Sequence, residues 1–178
     1  MRAVIVGCGR VGAGLAAALD RAGHRVLILD IATSAFDRLP STFSGEAVRA
    51  DGTDEDALLR AGAHGADAFF ALTEGDNRNI MAAQLARESL EVATVLAKIN
   101  DPVRARAYAE LGVATLCRTT LMTDTLLGFL GFSGSGDPPI HHAKEHAHHA
   151  EPVPAAPVPA APAPAAPAPG AIRMVGEG

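Results

Sequence analysis

A short apolar run, "AVIV" from Ala3 to Val6, leads directly into Gly7-Cys8-Gly9-Arg10-Val11-Gly12, and a stretch rich in alanine and leucine follows. This order constrains the fold more than any other feature of the chain. A buried, β-branched run reads as a strand of a parallel sheet. Glycines after it let the chain turn tightly and bring its backbone close to phosphates, and the third of them lets helix and strand pack closely. The segment "RVGAGLAAALDRAG" reads as the helix, stopped by Gly23, with Val11, Leu15, Ala18 and Leu19 as its expected apolar stripe. A second strand, "HRVLILD", ends in Asp30. That is about twenty residues past the glycines, where a dinucleotide-binding unit sets an acid against the ribose hydroxyls. The helix start adds unpaired N–H groups and a partial positive charge for phosphate.

Asp30 also restricts the nucleotide. A carboxylate accepts hydrogen bonds from ribose hydroxyls and repels a 2′-phosphate, and Ile31 and Ala32 bring no arginine to receive one. NAD(H), or an adenine nucleotide with an unmodified ribose, is expected in preference to NADP(H). The residues do not choose among NADH, ATP and ADP.

Beyond Asp30 the alternation repeats. Strands are expected over "EAVRAD", "ADAFFAL", "ATVLAKI" and "VATLCR", with helices over "DEDALLRAG", "DNRNIMAAQLARESL" and "DPVRARAYAELG". The expected fold is α/β, a Rossmann-like doubly wound parallel sheet of about six strands. Ligands of such sheets bind beyond the carboxyl ends of the strands. The residues there are Asp51 and Gly52, Thr73 and Glu74, and Lys98. Thr53 with Asp56, and Thr73 with Asp76, also fit a helix-capping pattern, so these clusters cap helices, touch ligand, or do both. Lys98 meets a phosphate or pairs with Asp101.

Composition changes abruptly near Gly134, and eight of the twelve prolines lie between Pro152 and Pro169. Such a segment forms neither helix nor ladder. The expected organisation is a nucleotide-binding domain over 1–133 and a disordered His- and Pro/Ala-rich tail over 134–178. His141, His142, His146, His148 and His149 read as an adventitious metal binder without a scaffold, so no metal site is expected. The net charge is −5, with no tryptophan and a single tyrosine, which argues against nucleic acid as a partner. No secretory pattern opens the chain and no run reaches the roughly twenty apolar residues of a membrane span, so a cytoplasmic location is expected. Cys8 and Cys117 make no disulfide framework. Cys8, beside a helix N-terminus, is a redox-sensitive thiol or a small filler of the loop.

Catalytic residues do not stand out. Tyr108 is followed four positions later by Gly112 where a short-chain dehydrogenase carries lysine, and His24 and His64 sit at expected helix-to-strand connections. A binding protein that is not an enzyme is therefore expected. The alternatives are a small NAD-dependent oxidoreductase or a fragment of one, and an adaptor whose tail recruits partners that read proline-rich segments.

The run "VIVGCGRVGAGLAAALDRAGHRVLILD", the string "ADGTDEDALLRAGAHGADAFFALTEGDNRNIMAAQLA", then "AKINDP" and "LGVATLCRTT", resemble the KTN or RCK N-terminal domain of Trk- and Ktr-type potassium-uptake regulatory subunits. The resemblance covers about residues 1–130. It implies a cytoplasmic, non-enzymatic subunit, peripherally associated with the membrane, that binds NAD(H) or ATP/ADP and regulates a membrane potassium transporter. By motif, Gly7, Cys8, Gly9, Arg10, Val11 and Gly12 form the phosphate loop and Asp30 holds the ribose. Asp51 and Gly52 flank the adenine, and Thr73, Glu74 and Lys98 complete the pocket. Asp76 and Asn79 match a D-x-x-N element whose role stays open. Such subunits continue into a second lobe, whereas this chain turns to its tail. The segment "TTLMTDTLLGFL" is similar in position to the family's helix that crosses to a partner subunit, which implies a homo-oligomer, a dimer or larger ring; the other reading folds it back on its own sheet.

Overall fold

The computed structural model describes residues 1–144 and 172–173. Strands β1 (Arg2–Val6), β2 (Arg25–Asp30), β3 (Glu46–Arg49), β4 (Ala68–Ala71), β5 (Thr94–Ile99) and β6 (Ala114–Cys117) are parallel and lie in the order 3-2-1-4-5-6. This is the doubly wound arrangement expected, and its winding reverses between β1 and β4, where such sheets form a ligand crevice. The helices are α1 (Arg10–Arg21), α2 (Glu55–Arg60), α3 (Asp76–Glu88), α4 (Pro102–Glu110) and α5 (Arg118–Phe129). Between β2 and β3 the connection is a short 3-10 turn, Thr33–Arg38.

Strand periodicity divides the core into two layers. Val4, Val6, Leu27, Leu29 and Phe69 face Leu58, Ala82, Ala83, Ala86 and Ala105 on α2, α3 and α4. Ile5, Val26, Ile28 and Ala47 face Ala13 and Ala16 of α1 together with Phe36 and Phe43.

The stripe on α1 differs from the expected one. Its buried residues are Gly12, Ala13, Ala16 and Ala17, while Leu15 and Leu19 only flank the core and Val11 is 57% exposed. Proximity is the reason. A Cβ on Gly12 would overlap the carbonyl oxygen of Gly7, so the helix crosses the glycine loop at a distance that admits only small side chains.

The sheet also continues past residue 133. Residues 137–144 run back along β6, forming β7 (Ile140–His141) antiparallel to it, with Thr115 opposite His141. The Cys117 N–H donates to the Pro139 carbonyl at 2.7 Å and the Lys144 N–H to the Ala109 carbonyl at 3.0 Å. A proline lacks the N–H of a ladder, yet the Pro139 carbonyl still accepts a hydrogen bond at the sheet edge. A further strand, β8 (Ile172–Arg173), pairs parallel with β3. The expected disorder of the Pro/Ala run and the metal reading of His146, His148 and His149 fall outside the described residues. Among the described residues no group of three or more potential metal ligands forms, and no helix is long and apolar enough to cross a membrane.

Candidate functional site

The ends of β1, β2, β3 and β4 open onto one cleft of about 360 Å³. Gly7 makes its tight turn at φ +105°, and a side chain there would press on the backbone of Leu72 and Thr73 at 2.9 Å. The first helical hydrogen bond runs from the Ala13 N–H to the Gly9 carbonyl at 2.9 Å. The N–H groups of Arg10, Val11 and Gly12 therefore precede the helical ladder, with no acidic side chain in the first turn to neutralise them.

Asp30 ties the end of β2 to this loop. Its Oδ2 accepts the Cys8 N–H at 2.7 Å and its Oδ1 accepts the Ala32 N–H at 2.9 Å. Each oxygen keeps a further acceptor site, and the half-buried carboxylate lines the cleft. Cys8 is fully buried. Burial, then the charge of Asp30, push its thiol up to about 11, against a smaller opposing pull from Arg38. Of the two readings of Cys8, burial favours the small loop filler, because it outweighs the helix terminus.

Across the cleft, the Asp51 carboxyl accepts the N–H and hydroxyl of Thr53 at 2.9 and 2.8 Å. The Thr53 backbone bond is the main cause holding it below the usual carboxylate range, with burial opposing and the Thr53 hydroxyl and Arg78 assisting. Thr53 does not cap α2; Asp54 does, accepting the Ala57 N–H at 3.1 Å. Thr73 caps nothing either. Gly75, at the start of α3, has no side chain to cap the helix and only donates its N–H to the Thr73 hydroxyl oxygen at 3.4 Å, while the Thr73 N–H and hydroxyl both donate to Asn79 Oδ1. Asp76, the other half of that pattern, accepts the N–H and Nδ2–H of Asn100 at 3.0 and 2.8 Å.

Of the residues singled out from sequence, Gly7, Cys8, Gly9, Asp30, Asp51, Gly52, Thr73 and Glu74 line the cleft together. Arg10, Val11 and Gly12 are off the lining, offering it only the helix start behind the loop. Lys98 is off it too. It is 5% exposed, with Nζ 3.9 Å from the Oε2 of exposed Glu74, and burial is the main cause lowering its pKa. Nor does it pair with Asp101, whose carboxylate caps α4 by accepting the Val103 and Arg104 N–H groups. Arg38 and Arg78 were missed and do line the cleft. The 3-10 turn returns Arg38 to the mouth eight positions after Asp30, beyond Ile31 and Ala32, which directly follow the acid. Arg78 lay unremarked inside the D-x-x-N element.

A family model described as the TrkA-N domain matches residues 3–119. The Trk system potassium uptake protein TrkA of Streptomyces coelicolor is 45% identical over 135 residues, covering 76% of this chain and 60% of that protein. The chain spans less than two thirds of the length of such curated relatives. Among solved structures, the Shewanella denitrificans Kef CTD in AMP-bound form is 24% identical, with a TM-score of 0.58 over 75% of this chain and 84% of that one. The GsuK channel bound to NAD is 18% identical, with a TM-score of 0.59 over 71% of this chain and 23% of that one. Both structural likenesses concern the fold.

Proposed function

The chain belongs to the TrkA-N domain family, and from that premise we propose that it is a nucleotide-sensing regulatory domain of a membrane potassium uptake system, binding NAD(H) or ATP/ADP. One observation carries the reading: Asp30, the glycine loop and the uncapped start of α1 meet in a single cleft at the switch point of the sheet. In this reading the phosphates lie over Gly7, Gly9 and the α1 N-terminus, the ribose hydroxyls meet Asp30, and Asp51 and Gly52 flank the adenine. The lining offers carboxylates, hydroxyls and guanidiniums but no imidazole, amine or phenol. The potassium-uptake name of the 45% identical relative and the nucleotides named with the two structural neighbours support the same reading.

The output in this proposal is quaternary. Helix α5 buries only Thr120, leaving Met122 55%, Leu126 59% and Phe129 87% exposed, with Leu130 and Phe132 each 65% exposed beyond it. A second copy covers this face, and the nucleotide shifts the assembly by binding its states unequally. The transporter on the cytoplasmic side of the membrane reads that shift.

Potassium uptake in cells lacking this chain tests the proposal. Loss of uptake that returns with the wild-type chain and not with Asp30→Ala supports it; unchanged uptake in the deletion strain contradicts it.

A further inference from the structure

Asn79 is fully buried near the start of α3, and its carboxamide joins the ends of two strands. Oδ1 accepts the N–H and the hydroxyl of Thr73 at 2.8 and 2.7 Å. Nδ2 donates to the carbonyls of Thr73 and Lys98 at 3.0 and 2.8 Å. An amide side chain has two acceptor sites and two N–H donors, so all four are used. The network fixes the orientation as well. Turned over, the amide would face two carbonyls with its oxygen and two donors with its NH₂.

Thr73 gives its N–H, its hydroxyl proton and its carbonyl to this one side chain. It also lines the cleft, in the segment against which Gly7 is so closely packed that a Cβ would stand 2.9 Å from the Leu72 carbonyl carbon and the Thr73 nitrogen. The gap between the glycine loop and the end of β4 is thus set where Asn79 holds Thr73. Asp76, one turn earlier, fastens the same helix start to Asn100 beyond β5.

We infer that Asn79 is a positioning residue of the cleft: it fixes the Thr73–Glu74 wall against the glycine loop, so that Thr73 meets the ligand as shape and not as a hydrogen-bond donor. The inference rests on the nucleotide reading of the cleft. It also gives a physical role to the D-x-x-N spacing, because the aspartate and the asparagine of one helical turn reach the two neighbouring strand ends. No other side chain of this size satisfies the corner. Aspartate keeps the acceptors but offers no N–H to the carbonyls of Thr73 and Lys98, and leaves them facing a buried charge. The other charged groups at this corner are Asp76 of α3, Arg104 of α4, Lys98 with its neighbour Glu74, and Arg118 of α5, which faces the same Glu74 oxygen.

The test is calorimetric titration of the full chain with NADH and with ADP between about pH 5 and pH 8. Asn79→Asp is expected to weaken binding roughly tenfold at the alkaline end, the value of about one net hydrogen bond. Relative to wild type, part of the loss returns as pH falls, because burial raises the new carboxyl and its protonated form donates one bond again. A merely structural role lowers the melting temperature without that pH signature. Thr73→Val keeps the branched shape and the N–H while dropping the hydroxyl, and it should weaken binding a few-fold; combined with Asn79→Asp it should add nothing. A folded Asn79→Asp chain that binds like wild type at every pH overturns the inference. If that variant does not fold, unchanged binding by Thr73→Val does so. Wild-type binding alongside either result leaves the nucleotide reading standing, whereas a wild-type chain silent to both nucleotides removes both.

Discussion

The Oδ2 of Asp30 accepts the backbone N–H of Cys8 at 2.7 Å, so the acid at the end of β2 and the loop after β1 form one rigid corner of the cleft. A carboxylate held this way is aimed before any ligand arrives, which spares the ordering cost of binding. Asp30→Ala should weaken NADH or ADP by about 1–3 kcal/mol, the worth of hydrogen bonds to a charged group. Calorimetry decides this, and equal affinities would remove Asp30 from the site.

Gly12 and Gly14 separate packing from propensity. A Cβ on Gly12 would overlap the Gly7 carbonyl, while one on Gly14, two residues on and on the exposed face, meets nothing within 4 Å. Gly12→Ala should destabilise the fold by about 1–3 kcal/mol, the usual cost of overpacking. Gly14→Ala should stabilise it by about 0.5–1 kcal/mol through helix propensity. Thermal or urea unfolding checks both, and a neutral Gly12→Ala would mean that the helix does not press on the loop.

Much of this corner is legible in the sequence. Four apolar residues, three spaced glycines and an acid about twenty positions on report a strand, a tight turn and a carboxylate at the end of the next strand, and the structure brings those three together. What the sequence does not display is distance between elements. The stripe through Val11 follows side-chain volume, whereas Ala13, Ala16 and Ala17 are buried because the sheet is near. Thr73 fits a capping pattern by spacing, but buried Asn79 competes for the same groups and holds them. Arg38 reaches the mouth only because the β2–β3 connection is a short 3-10 turn, and Lys98 stops behind Glu74, off the lining.

The Cys8 thiol carries a pH signature. Its value rises from the ordinary 9.0 to about 11 in the folded chain, chiefly through burial. The folded state then holds the proton more tightly than the unfolded one, so stability is unaffected below about pH 9 and falls as pH rises from there toward 11. Cys8→Ala should remove this part of the alkaline decline in urea unfolding. Alkylation of native Cys8 near neutral pH should be slow, and rapid labelling of the folded chain would contradict the burial argument.

The apolar face of α5 predicts a change in mass. Leu126→Glu together with Phe129→Glu should reduce the light-scattering mass to that of one chain while leaving the chain folded, since both side chains are more than half exposed within the chain, and it should shift NADH affinity, since a nucleotide coupled to assembly must feel its loss. An unchanged assembly would place the contact elsewhere.

The central claim is that the cleft between the glycine loop and Asp30 recognises an adenine nucleotide through an unmodified ribose. Titrating the wild-type chain with NADH, ADP and NADPH in one calorimetric series tests it most directly. The account predicts saturable binding of NADH or ADP at one site per chain, and weaker binding of NADPH than of NADH, because a 2′-phosphate meets the Asp30 carboxylate; Arg38 at the cleft mouth offsets part of that repulsion, so the difference should widen in Arg38→Ala. Equal binding of NADH and NADPH, or no binding of NADH and ADP, would contradict it.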